Sequence, residues 1–404
     1  MPPHLVTWKG EPDPRALGGS GPRVDGAVPS KENPMTTATA TDTGTLRELL
    51  QAPGPFLSVY FDREPRPQLA QAAQSRWRGL TARLADEGAA PATLDALTAE
   101  VMDRLPGTGA LAAFAAEGKV RHVVELPGDG HGDLAVSGTL PHLLPLMEWR
   151  QDHPAHVVVV VDRAGADLLL YAEGSTEPVR RTVTGPDDEI GRSSGLPQMR
   201  FQHRAEDSWE HNAAAVADAV TEALDEVSAR LLLLAGDVRA RQYLTKHLPA
   251  RVRSSVSVGQ VSGSRSEDGS GSGRAAQVAA EAAAAAREET AGLLRRLDEE
   301  RAPGGHAVEG VHATLQALAA GRVGTLAVTD DPQDSRTAWF GPGPTDVYEH
   351  REDFVPNGSG PLASGRLADV VVRSALLTGA DVRILEPDTP GAPAQGTGGI
   401  CRFG

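Results

Sequence analysis

The sequence predicts a multidomain α/β protein. The chain has 404 residues, a length that favours two to four domains, and 40% of them are hydrophobic, which is enough for ordinary packed cores. Segments typical of strands alternate with periodic helical segments along residues 43–404, a pattern that favours layers of sheet and helix. A stretch of mostly serine and glycine, residues 262–273, indicates a flexible linker between domains.

Composition excludes several classes of protein. No apolar run approaches the length of a membrane helix and Met1–Gly10 has no signal-peptide core, so we expect a cytoplasmic protein without a membrane partner. The single cysteine, Cys401, excludes an internal disulfide framework and a cysteine-based zinc site, and it is interpreted as a buried small hydrophobe. The net charge of −15 argues against indiscriminate coating of nucleic acid, so any such contact has to be local and basic.

The first part of the chain predicts a disordered leader followed by a small α/β domain. Residues 1–42 are rich in Pro, Gly, Ser and Thr without hydrophobic periodicity. The domain over 43–151 contains predicted helices and strands in an alternating order. They are a short helix from Thr43, a strand Phe56–Phe61, helices Gln68–Glu87 and Pro91–Leu105, and a strand pair Gly109–Ala116 and Lys119–Leu126.

The central segment, residues 152–261, is organised around its most apolar strand. His156–Asp162 is apolar on both faces, which is typical of a central strand in a covered sheet. Two further strands follow after short connections and complete an antiparallel meander. The predicted elements are strands Asp167–Glu173 and Pro178–Thr184, a long helix from about Glu206 to Ser228, strand Leu231–Leu234, helix Val238–His247 and strand Ser255–Val258. Three strands, helix, strand, helix, strand is the order of a ribonuclease-H-like fold.

The last segment, residues 274–404, predicts a three-layer α/β/α domain. It starts with the alanine-rich helix Arg274–Arg301, which has excellent helix propensity. Helical and strand patterns then alternate to the end of the chain. They are helix Gly310–Ala319, strand Thr325–Thr329, helix Ser364–Leu377, strand Asp381–Leu385 and the terminal strand Gly399–Phe403.

The candidate functional segment is the loop Gly191–Arg204. It holds Arg192, Arg200 and Arg204 and no carboxylate, although acidic runs stand on both sides of it. A flexible basic loop in an acidic chain suits a phosphate-rich partner. The alternative is a solvated loop whose cations balance the neighbouring carboxylates.

Other candidate chemistries are weaker. Residues 191–195 satisfy the G-x-S-x-G pattern of hydrolases but lack the flanking strand and helix that the pattern requires. Asp162 and Asp237 follow strands and suggest a two-metal site, for which more carboxylates are needed, so turn capping is favoured. His203 and His211 have no third ligand in register, and we therefore expect no metal and no cofactor. Arg251, Arg253 and Arg265 form a second basic stretch that could also follow a phosphate backbone.

The domain order and two short motifs resemble a known family. Arg200-Phe201 followed by a long helix, and the ending Gly399-Ile400-Cys401-Arg402-Phe403, are similar to features of the archaeal and eukaryotic class-1 release factors and Pelota. The chain most closely resembles their bacterial relatives, the Balon-type ribosome hibernation factors, over nearly all of residues 43–404. The resemblance implies a C-terminal domain of the kink-turn-binding ribosomal-protein type.

The resemblance implies a monomeric ribosome-binding protein that occupies the vacant A site of the 70S ribosome. Segment 191–204 would reach toward the peptidyl-transferase centre, and elongation factor Tu or another translational GTPase would accompany the protein. The residues implied to contact ribosomal RNA there are Arg192, Gly195, Pro197, Gln198, Arg200, His203 and Arg204. Where the release factors have Gly-Gly-Gln, this chain has Gly195-Leu196-Pro197-Gln198. Because proline fixes φ and removes an amide donor, we expect a plug that blocks translation without catalytic residues. The alternative is a rescue enzyme that uses Gln198 to cleave peptidyl-tRNA or tRNA.

Overall fold

The first sheet, in the amino-terminal region, packs against other elements on both faces, because one of its inner strands has apolar side chains on both faces. In the computed structural model the described residues are 42–63, 70–105, 107–128, 132–184, 198–265, 273–354 and 361–403. The elements of the first region are α1 Thr43–Gln51, β1 Phe56–Asp62, α2 Ala70–Asp86, α3 Pro91–Arg104, β2 Ala110–Ala116, β3 Lys119–Leu126, β4 Leu134–Gly138 and α4 Leu144–Asp152. The four strands are antiparallel in the order β3-β2-β1-β4. Alternate residues of β1 enter two different cores, with Phe56 and Tyr60 on one face and Val59 and Phe61 on the other.

The central sheet has its most apolar strand in the middle, as expected from the sequence. Its elements are β5 His156–Val161, β6 Gly165–Tyr171, β7 Val179–Thr184, α5 Gln198–Glu226, β8 Leu231–Gly236, α6 Val238–His247, α7 Ala250–Ser255 and β9 Ser257–Gln260. The order is β7-β6-β5-β8-β9, in which β5, β6 and β7 form an antiparallel meander and β5, β8 and β9 are parallel. Strand β5 is central and buried throughout, as its apolar run predicts. Helix α7 was not predicted, and β9 starts two residues later than expected.

The last region is a four-stranded sheet between helices. Its elements are α8 Arg274–Glu299, β10 Ala307–Glu309, α9 Val311–Ala319, β11 Val323–Thr329, β12 Thr337–Phe340, β13 Val347–Tyr348, β14 Ala363–Arg366, α10 Leu367–Leu377, β15 Asp381–Leu385 and β16 Thr397–Cys401. The sheet order is β10-β16-β11-β15, and β12, β13 and β14 form a separate small sheet. Helix α8 packs on one face of the four-stranded sheet, while α9 and α10 pack on the other. Cys401 is buried in that second core, as predicted.

The first and last regions share one hydrophobic core. Leu46 and Leu49 of α1, Leu144 of α4 and Val371 of α10 belong to a single cluster of buried side chains. Gln151 of α4 adds two hydrogen bonds, donating to the carbonyl of Ile384 at 2.8 Å and accepting from its amide at 3.0 Å. These contacts hold residues more than two hundred positions apart in sequence. The alternation of buried residues along each strand explains which faces of the sheets are covered. The junction between the first and last regions depends on contacts between residues remote in sequence, which no local sequence pattern predicts.

The predicted division at 43–151, 152–261 and 274–404 stays a proposal, since all described residues belong to one compact unit, Ala38–Gly404. The leader 1–41 and the linker residues 266–272 lie outside the described residues. Among the described helices, none combines the length and apolar character needed to cross a bilayer.

Candidate functional site at the carboxyl edge of the central sheet

The parallel strands β5 and β8 end side by side, and an aspartate follows each of them. At this edge Gly236 has a φ of +103°, and a Cβ there would lie 1.9 Å from the carbonyl oxygen of Val161, so glycine is required for the close approach. The chain then turns into α6, where Asp237 accepts hydrogen bonds from the amides of Arg239 at 2.9 Å and Ala240 at 3.0 Å. Asp237 is therefore the N-cap of α6.

Asp162 closes the turn between β5 and β6. Its Oδ1 accepts from the amides of Ala164 at 2.8 Å and Gly165 at 3.0 Å. The same oxygen accepts from Nη1 of Arg265 at 2.9 Å. Asp162 and Asp237 thus act in turns, as favoured over the two-metal interpretation. Among the described residues, no group of three or more His, Cys, Asp or Glu side chains could hold a metal ion.

Arg265 joins two acidic residues at this edge. Besides Asp162 it donates to both carboxylate oxygens of Asp167, at 3.2 and 3.3 Å, and Asp167 also accepts from the hydroxyl of Thr182 at 3.0 Å. The predicted basic stretch is therefore wrong for Arg265, because its charge is balanced by carboxylates that lie about a hundred residues away in sequence. Sequence reasoning missed the pair, since only the folded sheet brings these residues together.

Arg251 is also balanced by a carboxylate. Its guanidinium donates to both oxygens of Asp225, at 2.9 and 2.7 Å. These hydrogen bonds hold the pKa of the Asp225 carboxyl below its ordinary value. Of the three cations in the predicted basic stretch, Arg253 alone forms no ion pair with a described residue.

Helix α5 begins earlier than the sequence predicted. Its first helical residue is Gln198, so Gln198, Arg200, His203 and Arg204 lie in the helix backbone and not in a loop; the expected start near Glu206 is wrong. Glutamine, methionine and arginine are good helix formers, and the residue before Gln198 is a proline, which is common at helix starts. The other predicted site residues, Arg192, Gly195 and Pro197, lie outside the described residues.

Asn212 anchors the helix to the sheet edge. Its side chain is 4% exposed, and Nδ2 donates to the carbonyl of Arg163 at 3.1 Å. The cavity beside it, lined by Val161, Ala213 and Val216 among others, has a volume of about 10 Å³. That is room for about one water. Asn212 was not predicted as a site residue; its only sequence signal is a polar side chain that precedes the apolar face of α5.

The central segment of the chain matches a known family model. Residues 155–303, from β5 to the end of α8, match the family model of bacterial archaeo-eukaryotic release factor family 2. Over this segment the chain is similar to bacterial proteins related to the release factors. The match includes the candidate segment 191–204 and the whole of α5.

Two relatives come from Mycobacterium tuberculosis. Uncharacterized protein Rv2629 of strain ATCC 25618 / H37Rv is 31% identical over 224 residues, which are 52% of this chain and 58% of that protein. Uncharacterized protein MT2704 of strain CDC 1551 / Oshkosh gives the same values. The chain thus spans somewhat more than half the length of the relatives that it matches.

Solved structures of translation factors also align with the chain, at low TM-scores. Archaeal translation termination factor aRF1 aligns at 16% identity with a TM-score of 0.23, over 89% of this chain and 96% of its own. Pelota of Archaeoglobus fulgidus aligns at 13% identity with a TM-score of 0.31, over 91% and 93%. Archaeal Pelota from a model of ribosome-bound Pelota and ABCE1 aligns at 12% identity with a TM-score of 0.37, over 91% and 94%. Because these scores are low, the relation to release factors rests on the family model.

Proposed function

We propose that this protein binds the vacant ribosomal A site and blocks translation by inserting segment 191–204 toward the peptidyl-transferase centre. The observation that carries the proposal is the family match over residues 155–303, since it contains this segment and the helix that follows it. By its resemblance to the release factors and Pelota, the protein would place its first domain near the decoding centre. The third domain faces the stalk base and a translational GTPase such as elongation factor Tu.

The geometry of α5 supports the insertion. Asn212 and the buried residues Val216, Val220 and Leu224 hold the helix on the sheet. Gln198 and Asn212 are fourteen positions apart, which places the amino end of the helix roughly 21 Å from this anchor at 1.5 Å per residue. Arg200 and Arg204 lie four positions apart within this part of the helix. A helix amino end with two arginines carries positive charge toward RNA phosphates.

A binding experiment tests whether the protein binds the vacant ribosome. The full-length protein is expected to sediment with vacant 70S ribosomes at low salt. Changing Arg192, Arg200 and Arg204 together to Ala is expected to reduce the salt dependence of log K by about 2 to 3, since each phosphate contact contributes about 0.9. The matched control removes three exposed arginines elsewhere, Arg78, Arg83 and Arg287. Absence of wild-type protein from the ribosome pellet would contradict the proposal.

A rescue enzyme is the second candidate, because Gln198 opens α5 and follows Gly195 at the position of the Gly-Gly-Gln turn. In that mechanism its amide would orient a water or a ribose hydroxyl against an ester or a phosphodiester. Ribosomes loaded with peptidyl-tRNA distinguish the candidates. A plug leaves the ester and the tRNA intact, whereas cleavage that is lost in Gln198→Ala would establish the enzyme and reject the plug.

A further inference from the structure

Segment 191–204 is connected in sequence to two elements that pack at the central sheet. On its amino side the chain leaves β7 at Thr184, and on its carboxyl side it continues as α5. We call β7 the amino stem and α5 the carboxyl stem. Five of the six residues of β7 are exposed, so apolar packing contributes little to holding this edge strand. The polar contacts of the two stems therefore matter for the position of the segment.

The carboxyl stem is attached to the turn between β5 and β6. Nδ2 of Asn212 in α5 donates to the carbonyl of Arg163 in this turn at 3.1 Å. The shape of the turn depends on Asp162, whose Oδ1 accepts hydrogen bonds from two backbone amides of the turn. Nη1 of Arg265 donates to the same oxygen at 2.9 Å. Arg265 thus contacts the residue that shapes the attachment point of α5.

The amino stem is attached to β6 beside the same turn. The hydroxyl of Thr182 in β7 donates to Oδ1 of Asp167 in β6 at 3.0 Å. Nε and Nη2 of Arg265 donate to the two oxygens of Asp167 at 3.2 and 3.3 Å. A Cβ at Gly165 would lie 2.0 Å from the carbonyl oxygen of Val183, so the turn also approaches β7 directly. The support of the amino stem therefore contacts Arg265 as well.

One guanidinium group joins the supports of both stems. All three of its nitrogens donate to the carboxylates of Asp162 and Asp167, and the Arg265 side chain is 20% exposed. Without this cation the two carboxylates would remain together at the edge of the sheet, where like charges repel. The planar fork of an arginine is suited to holding two carboxylates at once. Arg265 is therefore the group at which the contacts of β7 and α5 converge.

Arg265 belongs to the stretch that leads from the central sheet toward α8. The amide of Ser262, at the start of this stretch, donates to the side chain of Gln277 in α8 at 2.7 Å. One residue further along α8, Val278 packs on the central sheet. Ser262 and Arg265 lie within four consecutive residues, so the contacts with α8 and with the two stems are closely linked along the chain.

We infer that Arg265 is a positioning residue for segment 191–204, which ties both stems of the segment to the stretch before α8. A movement of α8 relative to the central sheet that withdraws Arg265 would loosen the two stems together. The importance of this position for ribosome binding rests on the proposed function. The mechanical link between Arg265 and the stems does not depend on it.

Hydrogen exchange of the full-length protein, followed by mass spectrometry, tests the link. Arg265→Gln is expected to increase the rate of amide exchange in both stems roughly three- to tenfold, because charge-assisted hydrogen bonds stabilise them. Exchange in the central strand β8 is expected to stay unchanged, since it does not contact Arg265. The matched control is Arg251→Gln, which breaks the ion pair with Asp225 near the other end of α5.

Two further variants separate the stems. Asp162→Asn keeps an oxygen that accepts from the turn amides but loses the charge that holds Arg265, so faster exchange is expected mainly in α5. Asp167→Asn keeps an oxygen for Thr182, and faster exchange is expected mainly in β7. A purely structural loss of stability would increase exchange in β8 as well. Equal acceleration in β8 and the stems, or no acceleration in the stems of Arg265→Gln, overturns the inference.

Sedimentation with vacant 70S ribosomes tests the consequence for binding. Arg265→Gln is expected to bind more weakly than the wild type, and Arg251→Gln controls for the loss of one positive charge. Equal ribosome affinity of Arg265→Gln and the wild type overturns the positioning role. Wild-type protein that does not sediment rejects the proposed function, and faster exchange confined to the two stems then still supports the link through Arg265.

Discussion

Helix α8 lies on two sheets, and its two halves attach to them by side chains of different size. The amino-terminal half packs on the central sheet through Val278 and Ala282. The carboxyl-terminal half packs on the last sheet through Leu293 and Leu297. Since the free energy of burial follows apolar area at about 25 cal/mol per Å², the leucines hold their sheet more firmly than valine and alanine hold theirs.

The polar contacts of the two halves differ in charge. Arg383 of β15 donates to the carboxylate of Glu289 in the second half at 2.8 Å, while the first half accepts a hydrogen bond from the amide of Ser262 at the neutral side chain of Gln277, at 2.7 Å. We expect the central sheet to separate from α8 at a lower cost in free energy than the last sheet. Of these two sheets, we therefore expect the central sheet, which carries the candidate site, to be the more weakly attached to α8.

The largest expected effect comes from truncating the firm half of α8. Leu297 is fully buried, so Leu297→Ala is expected to lower the free energy of unfolding by about 3 kcal/mol through lost burial and a cavity. Val278→Ala removes less apolar surface from a 7% exposed side chain, and we expect a loss of about 1.5 kcal/mol. Urea unfolding followed by circular dichroism measures both. Equal losses in the free energy of unfolding of the two variants would contradict the expected difference in attachment between the two halves of α8.

The alanine-rich composition of residues 274–301 was enough to predict α8, and the apolar run of β5 was enough to predict a central strand. Neither pattern contains the partner surface. The Ser/Gly stretch 262–273 predicted a domain boundary, yet the helix after it packs on the sheet before it through Val278. Local periodicity reports which face of an element is buried, whereas the element that covers it is decided by contacts remote in sequence.

The candidate site shows the same limit more sharply. Asp162 and Asp237 were recognisable as turn residues, because an aspartate after a strand commonly caps a turn. The sequence places Arg265 in a basic stretch, because its carboxylate partners lie 103 and 98 residues away. The sequence predicts the start of α5 too late, because an arginine-rich segment before an acidic one is typical of a loop, although its residues favour helix.

A smaller loss of stability is expected at the junction of the first and last regions. His142 and Asp369 are 2% and 5% exposed, and Nδ1 of the imidazole lies 2.8 Å from Oδ1 of the carboxyl. Asp369→Ala leaves a buried imidazole nitrogen without its partner, which is expected to cost about 2 kcal/mol. The expected loss of stability for Asp369→Ala therefore lies between the losses expected for Leu297→Ala and Val278→Ala. Thermal and urea unfolding of the full chain measure it.

Two control variants make the cause specific. Asp369→Asn keeps a hydrogen-bonding oxygen at the same position and is expected to lose less stability than Asp369→Ala. Asp225→Ala breaks an exposed ion pair with Arg251 and is expected to leave the unfolding midpoint nearly unchanged. Asp369→Ala with wild-type stability would show that the pair contributes nothing to the junction.

The smallest expected effect concerns pH, at the side of the same junction where α4 packs against α8 and β15. Burial raises the pKa of Glu148 from 4.5 to about 7, with further contributions from Asp330, Asp152 and Glu386. The folded chain then holds a proton that the unfolded chain releases near pH 4.5, so the free energy of unfolding falls as pH rises from about 4.5 to about 7. Glu148→Gln removes this slope, and because Glu148 is partly exposed we expect a gain of about 1 kcal/mol at pH 8. Urea unfolding at pH 5 and pH 8 measures the change in stability. The control is Glu87→Gln, which removes an exposed carboxylate. If Glu148→Gln kept the wild-type dependence of stability on pH, the Glu148 side of the junction would not respond to pH.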